Sequence, residues 1–482
     1  MNRRTFIQAA GLGLTGRFGF AERGQPIAVL LKLLEDSPRE RVVPELVRMI
    51  RTNLRYEDLL AALSLAAVRN VQPYPEVGFK YHSVLVLRSI HLATQHISSA
   101  DKWLPIVWAA DYFKDTQAQE RATGGWRPPM KRVAPGGNPQ AVRRELATAL
   151  ENWDPEAADI AIVRYVRAAP PDEIFSLLFP YGARDLRAIG HKAITVSNAH
   201  TLIALLGSAQ AEPMLRSTVA ALQNTGGGPN PANHELQPDQ PWRRNRKQLR
   251  NIPQSWNQGR DDPGARTELH ATLYRVSPEE AGAVVAGFLR RGLSPEAIWR
   301  VLFDMAAELI MHGPSIVLLH AQTTANALHY AYRVCGNEQT QQLMLLQCAA
   351  FIATFRQMTD TIQPDLGLEA LQPIPLEGVD AIGEISADLS TGQRLQAVRK
   401  SLGYLQKGGD AEALIANARH YLVYNADEAH DYKFSEAVFD GYSHLPDFAW
   451  RCRFLSAGMA YFKAPRKRPN PVVEETMELL HG

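Results

Sequence analysis

Apolar residues recur every three to four positions along most of this chain, which is the spacing of amphipathic α-helices. In the segment 56–68, for example, the apolar stripe consists of Leu59, Leu60, Leu63 and Ala66. The alternating pattern typical of half-buried strands is almost absent. The sequence therefore predicts an all-α protein.

Two segments look like copies of one helical unit. The first begins at Asp154 and the second at Ser277, each with a capping residue followed by proline and glutamate, which is a helix-start signal. In both copies a helix, a short turn and a second helix ending in I-x-x-x-L-F precede a histidine that opens a third helix, His191 or His320. The pattern predicts repeated helix pairs packed into one large helical domain.

Weaker copies of the unit are predicted upstream and downstream, so that four histidines occupy equivalent places: His82, His191, His320 and His430. Equivalent positions of a repeated unit converge on a shared axis, and we expect the four imidazoles to meet there. A single buried histidine is ordinarily a hydrogen-bonded core residue. Four in equivalent places predict a central metal site, because imidazole is a common ligand for iron, zinc, copper and nickel.

A second histidine follows nine residues after three of these positions, at His91, His200 and His329. Nine residues correspond to about two and a half helical turns, so these side chains leave the opposite face of their helices. We expect them to pack elsewhere or to serve a different site.

The segment 425–436 adds a lysine. Lys433 lies three residues after His430, so on a helix both side chains leave the same face, with Cβ atoms roughly 5–6 Å apart. A solvated lysine on an exposed helix is the alternative. Thr324, one turn after His320, could hydrogen-bond a ligand or bound oxygen, and back-bonding to a carbonyl is the alternative for this side chain.

The segment 25–482 is predicted to be a single helical domain with two interruptions. The first is an irregular loop at 225–264, which contains three consecutive glycines and the basic cluster 242–247. The second is a proline-rich insertion at 359–391. We interpret the basic cluster as a solvated surface loop rather than a nucleic-acid patch, because no nucleic-acid-binding motif accompanies it.

Charge and composition exclude several classes of protein. The chain has 52 Lys and Arg against 50 Asp and Glu, a balance that does not call for nucleic acid or an anionic membrane. Its three cysteines are widely spaced and form no CxxC, which disfavours a disulfide framework or a cysteine zinc site. No run approaches the roughly 18 apolar residues of a transmembrane helix.

Residues 1–24 predict export. Arg3 and Arg4 followed by Phe6 and Ile7 are similar to a twin-arginine signal, although Arg17 interrupts the apolar stretch behind them. We expect a periplasmic or otherwise exported protein; the alternative is a short basic arm on a cytoplasmic protein. The twin-arginine route carries proteins that are already folded, which would suit a metalloprotein.

The windows 81–83, 190–192, 319–324 and 427–433 resemble the questin oxidase-like family, and the last is the most specific because an acidic pair, a histidine and a lysine occur together. The family is all-helical, and its fungal members open anthraquinone rings. The resemblance implies Fe(2+) as the metal and a CO2-derived carbamate on the lysine. The ligands that it implies are His82, His191, His320, His430 and Lys433.

The resemblance implies a non-heme iron-dependent oxygenase that opens a small aromatic or quinone-like substrate, by Baeyer–Villiger oxidation or dioxygenation. Four imidazoles and one carbamate oxygen leave one octahedral position for O2 as co-substrate, with Lys433 and Thr324 as the catalytic residues. NADPH would serve the Baeyer–Villiger variant, but no glycine-rich dinucleotide fingerprint is present. A metal-dependent hydrolase with a carbamylated lysine and a non-catalytic helical-repeat scaffold are the alternatives.

Overall fold

A computed structural model describes residues 24–74, 76–125, 133, 136–359, 367–376 and 378–481. Throughout these ranges the chain is helical or irregular, and the single pairing of extended backbone is an isolated bridge between Arg260 and Leu293. The predicted all-α class is confirmed. The predicted export segment 1–24 lies outside the described residues except for Gly24, where the first helix of the described ranges begins.

The α-helices of the described ranges are numbered in chain order. The first group is α1 (Gly24–Asp36), α2 (Arg39–Arg51), α3 (Tyr56–Asn70), α4 (His82–Leu85), α5 (Leu87–Thr94), α6 (Leu104–Ala122), α7 (Pro139–Glu151), α8 (Pro155–Val166), α9 (Pro171–Gly182), α10 (His191–Leu206), α11 (Ala211–Leu222) and α12 (Gln240–Gln248). The second group is α13 (Pro263–Leu273), α14 (Pro278–Arg290), α15 (Pro295–His312), α16 (Ile316–Val334), α17 (Glu338–Gln357), α18 (Ala381–Ser390), α19 (Arg394–Gln406), α20 (Ala411–Asn425), α21 (Ala429–His444), α22 (Phe448–Gly458) and α23 (Pro471–His481).

The helices begin where the sequence supplies capping residues. The Asp154 carboxylate accepts the backbone N–H of Ala157 at 2.9 Å, and the Ser294 hydroxyl accepts that of Ala297 at 3.1 Å. Each cap satisfies a backbone donor that has no partner inside the helix, and proline follows at a position that needs no N–H. These caps fix where α8 and α15 begin.

The two predicted copies have the expected layout. In the first, α8 and α9 lead into α10, and in the second, α14 and α15 lead into α16. His191 is the first residue of α10, as predicted, whereas α16 begins at Ile316 and carries His320 one turn inside. The copies therefore match in helix order and differ by about one turn in where the histidine sits.

Helix α16 lies at the centre of the single domain. It packs against α10, α15, α17 and α21, and its residues from Leu318 to Leu328 are all buried. Helices α10 and α21 also carry members of the predicted histidine set. Packing around α16 thus brings three of the four histidine-bearing segments together, and the short helix α4 supplies the fourth by packing on α10 and α21.

The stretch 225–264 is not irregular throughout, because it contains α12. Trp242 and Asn245 lie three residues apart on its buried face, and the Asn245 amide donates to the Gln347 side chain at 2.7 Å. The basic residues occupy the rest of the helix, where Arg246 pairs with Glu151 at 2.9 Å. The expected solvated loop is therefore a half-buried helix at this point. The expected insertion 359–391 likewise contains α18.

No helix among the described residues is long and apolar enough to cross a membrane.

Candidate metal centre

The structure brings the four predicted histidines into one buried cluster. His82 opens α4, His191 opens α10, His320 lies in α16 and His430 is the second residue of α21. One nitrogen from each lies within 4.8 Å of the corresponding nitrogen of every other. The predicted convergence is confirmed, although the segments are as far apart in sequence as α4 and α21.

The four rings form a closed cycle. Neighbouring rings meet edge to face, with centroids 4.9 Å apart for His82–His191, 4.5 Å for His191–His320, 5.2 Å for His320–His430 and 4.4 Å for His82–His430. The interplanar angles lie between 63° and 89°. This order makes His82 and His320 one opposite pair, and His191 and His430 the other.

Each imidazole is oriented by its Nδ1. Within their own backbone turns, His82 Nδ1 donates to Phe79 O at 2.9 Å, His191 Nδ1 to Ala188 O at 2.9 Å and His320 Nδ1 to Ile316 O at 2.5 Å. The fourth, His430 Nδ1, donates to the Glu428 carboxylate at 3.1 Å. Because carbonyl and carboxylate oxygens only accept, the proton of each ring is assigned to Nδ1, and Nε2 carries the lone pair.

The lone pairs of the cluster face one another. The Nε2 atom of His191 lies 3.1 Å from that of His82 and 3.0 Å from that of His320, and Nε2 of His430 has no hydrogen-bond partner. Adjacent ligands at right angles around a metal with bonds of about 2.1 Å lie about 3.0 Å apart. The donor set, with one nitrogen of each ring within 4.8 Å of the others, therefore fits a single first-row metal ion.

Burial keeps these imidazoles neutral, which is the protonation state that binds metals. Desolvation is the largest cause that lowers the pKa of His82, His191 and His320 well below the usual range, and the charge of Lys433 is the next. Burial also lowers the pKa of His430, while the Glu428 carboxylate opposes that change.

Lys433 lies beside the cluster, as predicted from its spacing to His430. Its side chain is buried, its Nζ makes no hydrogen bond with a described residue, and burial lowers its pKa to about 7. Its charge acts on all four histidines. An unpaired lysine amine this close to a metal-ligand set is an unusual arrangement, because buried amines ordinarily have partners.

Helix α21 is fixed at its N-terminus by a capping box. The Glu428 carboxylate accepts the backbone N–H of Asp431, and the Asp431 carboxylate accepts the backbone N–H of Glu428. Asp431 also pairs with Lys463 at 2.9 Å. Because His430 and Lys433 lie in the first turns of this helix, the capping box fixes both side chains relative to the other three histidines.

Thr324 does not line the pocket at the cluster. It packs against Gly190, where a Cβ would lie 1.8 Å from the Thr324 hydroxyl oxygen, and this hydroxyl donates to Ile189 O at 3.5 Å. Gly190 has a φ of +86° and immediately precedes His191. Thr324 thus contacts the turn that orients His191, and its predicted contact with a ligand stays a prediction.

The histidines at the ninth position lie outside the cluster, as predicted. His200 Nδ1 hydrogen-bonds the Tyr330 hydroxyl at 2.7 Å, and His329 packs edge to face on Trp299 at 4.9 Å. His91 lies 6.0 Å from the Tyr56 ring, between ring centroids. These three residues serve packing.

A pocket of about 470 Å³ opens onto the cluster. Its surface is more apolar than polar, and apolar, polar and charged residues line it together with the four histidines. The lining residues outside the histidine set include Val77, Phe79, Tyr112, Ala188, Ile189, Ile316, Lys80, Arg187 and Glu428. The volume is that of a site for a small organic molecule.

Two buried charge networks around the cluster were not predicted from the sequence. Lys192 pairs with Asp185 at 2.7 Å behind His191, and Asp440 accepts from Arg88 at 3.2 Å and from Asn326 at 2.8 Å. Asp440 lies seven residues after Lys433, two helical turns along the same face of α21, and that spacing was the available signal. Asp185 precedes its helix and gave no periodic signal.

Comparisons of the chain with protein-family models, with curated proteins and with solved structures found no match.

We expect the protein to bind one divalent metal ion per chain. His320→Ala should lower the metal affinity at least about 100-fold, because loss of a ligand costs more than loss of a residue that only hydrogen-bonds a ligand. Metal content after dialysis and a titration with Fe(2+) or Zn(2+) measure this. His91→Ala is the control, because it removes a histidine outside the cluster. Equal metal binding by the two variants would contradict the assignment.

Gly190→Ala is expected to weaken metal binding and to destabilise the fold, because the new Cβ meets Thr324 and φ is left-handed. The double variant Gly190→Ala with Thr324→Gly removes the collision but retains about 1–2 kcal/mol of backbone strain. Metal affinity should therefore recover in part in the double variant. Full affinity in the Gly190→Ala single variant would show that this turn does not position His191.

Lys433→Met is expected to stabilise the metal-free fold near neutral pH. The lysine is protonated in the unfolded chain up to about pH 10.5, whereas in the fold its pKa is about 7. Between these values the unfolded state binds more protons, so the free energy of unfolding falls as the pH decreases from about 10.5 to 7. Lys433→Met lacks this decrease in the free energy of unfolding, so at pH 7 it should be more stable than the wild type by about 3–5 kcal/mol.

Urea unfolding of both proteins between pH 7 and 10, in CO2-free buffer with a chelator, measures this difference. Parallel pH dependences of the two proteins would mean that Lys433 is paired or solvated in the fold.

Proposed function

We propose that this protein is a non-heme iron-dependent oxygenase that acts on a small aromatic or quinone-like molecule. The observation that carries the proposal is the cycle of four buried imidazoles, each with one nitrogen within 4.8 Å of a nitrogen of the others, in the wall of a pocket of about 470 Å³. The resemblance of the four histidine windows to the questin oxidase-like family supplies the metal and the reaction class.

A bound iron ion would supply redox chemistry with O2 at the base of this pocket. His82, His191, His320 and His430 would hold it, each through Nε2, while the oxygen acceptors at Nδ1 keep the rings in place and raise their basicity. The burial of the four rings leaves the side of the cluster that faces the pocket as the approach for O2 and substrate.

Lys433 would supply the negative charge that four neutral imidazoles lack. Its lowered pKa leaves a large fraction of the amine uncharged near neutral pH, and only the uncharged amine adds CO2. The nitrogen lone pair forms the N–C bond, one C=O bond opens to leave the carboxylate, and the nitrogen releases one proton. The resulting carbamate removes the repulsion between an ammonium group and a cation and gives an anionic oxygen ligand.

The pocket favours a neutral, flat and apolar substrate. Its two cationic wall residues are already paired, Lys80 with Glu120 at 2.7 Å and Arg187 with Asp239 at 2.8 Å. The exposed Phe79 ring and the Ile316 side chain lie at the wall, where they offer apolar surface to a planar ring. A cavity of this size accommodates two or three fused six-membered rings.

The geometry of the cluster favours a bound metal ion over a scaffold without one. Neutral imidazoles with their lone pairs directed at one another at 3.0 and 3.1 Å repel, and burial without a partner for Nε2 of His430 adds a desolvation cost. A metal ion removes both penalties. The hydrolase alternative shares the metal, and O2 uptake distinguishes it from the oxygenase.

The test is anaerobic loading with Fe(2+), followed by addition of O2 with and without a hydroxylated anthraquinone as the probe. We expect O2 uptake and loss of the probe's visible absorbance to be coupled one to one, and Lys433→Met to lose at least about 100-fold in rate, as for removal of a directly participating group. His91→Ala is the control. Stoichiometric iron binding without probe-dependent O2 uptake by the wild type would contradict the oxygenase and favour the hydrolase.

A further inference from the structure

Two turns with an unfavourable backbone conformation border the pocket at the histidine cluster. Among the described residues, four non-glycine residues have a left-handed φ, and two of them line this pocket, Phe79 at +44° and Ile189 at +40°. This conformation is unfavourable for a bulky or β-branched side chain. Strained backbone of this kind is typical of ligand-binding and catalytic sites.

Packing does not explain the phenylalanine at position 79. Its side chain is 71% exposed, and glycine would suit its φ better. The backbone carbonyl of Phe79 accepts from His82 Nδ1 at 2.9 Å, but any residue supplies a carbonyl. The ring itself contributes only to the pocket that it lines.

The two turns adjoin. A Cβ added to Gly78 would lie 3.2 Å from Cε1 of His191, so the backbone of the first turn packs on the imidazole that follows the second turn. Ile189 lies two residues before that histidine. Phe79 and Ile189 therefore place two apolar side chains in one region of the pocket, beside His82 and His191.

A tyrosine hydroxyl of the same pocket has an unused donor. Tyr112 lies on α6, where its ring stacks on Trp108 with centroids 5.2 Å apart and planes 8° from parallel. Its hydroxyl makes no hydrogen bond with a described residue. Burial raises the pKa of Tyr112 to about 12, and the charge of Glu428 adds to the rise. The hydroxyl thus stays protonated and able to donate.

The other polar side chains that α6 contributes to the wall are engaged. The Thr116 hydroxyl donates to Phe113 O at 2.9 Å, and the Gln119 amide donates to Asp115 at 2.8 Å. The two cationic side chains of the wall are paired with carboxylates, as described above. The Tyr112 hydroxyl is therefore the donor that this helix offers to a ligand oxygen.

We propose that Phe79 and Ile189 hold a planar ring system in the pocket, and that Tyr112 selects rings that bear a carbonyl oxygen. The faces of a planar ring pack on apolar side chains, and a carbonyl oxygen accepts from the tyrosine O–H. This inference rests on the proposed function for the class of substrate, and it adds the residues that decide which rings bind.

The test of the donor is equilibrium dialysis of the metal-free full chain, with a chelator present, against fluorenone and, separately, fluorene. Fluorenone is a planar three-ring ketone, and fluorene is the hydrocarbon of the same ring system without the oxygen. Tyr112→Phe is expected to weaken fluorenone binding about tenfold, the contribution of one neutral hydrogen bond, and to change fluorene binding less than about twofold. Tyr74→Phe is the control, because its hydroxyl donates to Ala220 O outside the pocket.

The same measurement tests the two apolar residues. Phe79→Ala should weaken binding of both ligands alike, at least about fivefold, because it removes the ring contact and keeps the backbone carbonyl. Phe448→Ala is the matched control, since Phe448 is also exposed, at 52%, and does not line the pocket. Ile189→Ala should likewise weaken both ligands to a similar degree.

Three results would overturn the inference. Binding of neither ligand by the wild type means that the pocket does not hold a planar ring. Equal losses for fluorenone and fluorene in Tyr112→Phe mean that Tyr112 shapes the pocket without selecting an oxygen. Wild-type binding by Phe79→Ala means that its ring does not hold the ligand. Because the dialysis uses metal-free protein, ligand binding without O2 uptake by the iron-loaded protein would count against the proposed function alone.

Discussion

The orientation of four buried imidazoles by their Nδ1–H groups is the constraint on which this site depends. Each ring donates to an oxygen of its own local segment, to Phe79, Ala188 or Ile316 backbone or to the Glu428 side chain. These bonds place four lone pairs in a space where they repel without a cation. The fold tolerates this arrangement because α16 and its neighbours hold the four segments by extensive burial of apolar side chains, and a bound metal ion would convert the repulsion into coordination.

Lys433 links the histidine cluster to a neighbouring layer of polar side chains. On one side its charge acts on the four histidines, and on the other its side chain lines a small cavity that it shares with Arg88. Asp440, two turns further along α21, accepts from Arg88 and Asn326 and so connects this helix to α5 and α16. One face of α21 thereby carries a histidine of the cluster, the buried Lys433 amine and the Asp440 carboxylate that holds this polar layer together.

Much of the site could be predicted from the sequence because the copies of one helical unit place their histidines equivalently. The helix order of α8–α10 and α14–α16 and the convergence of His82, His191, His320 and His430 followed from that repetition. The helix α12 was missed because its glycine- and proline-rich flanks obscured a short buried face at Trp242 and Asn245.

Thr324 and Asp185 show the limit of such reasoning. The role of Thr324 depends on the left-handed backbone of Gly190 across the core, and Asp185 finds its partner Lys192 only after the turn before α10 has formed. Contacts of this kind depend on tertiary packing and leave no periodic signal in the sequence.

We propose that one metal ion is bound by four imidazoles through Nε2. X-ray absorption of the Fe(2+)-loaded protein tests it most directly, because multiple scattering counts imidazole ligands. We expect four imidazole nitrogens per iron at about 2.0–2.3 Å, the range of imidazole bonds to first-row metals, and three in His320→Ala. Two or fewer imidazoles in the wild type, or an unchanged spectrum in His320→Ala, would contradict the account.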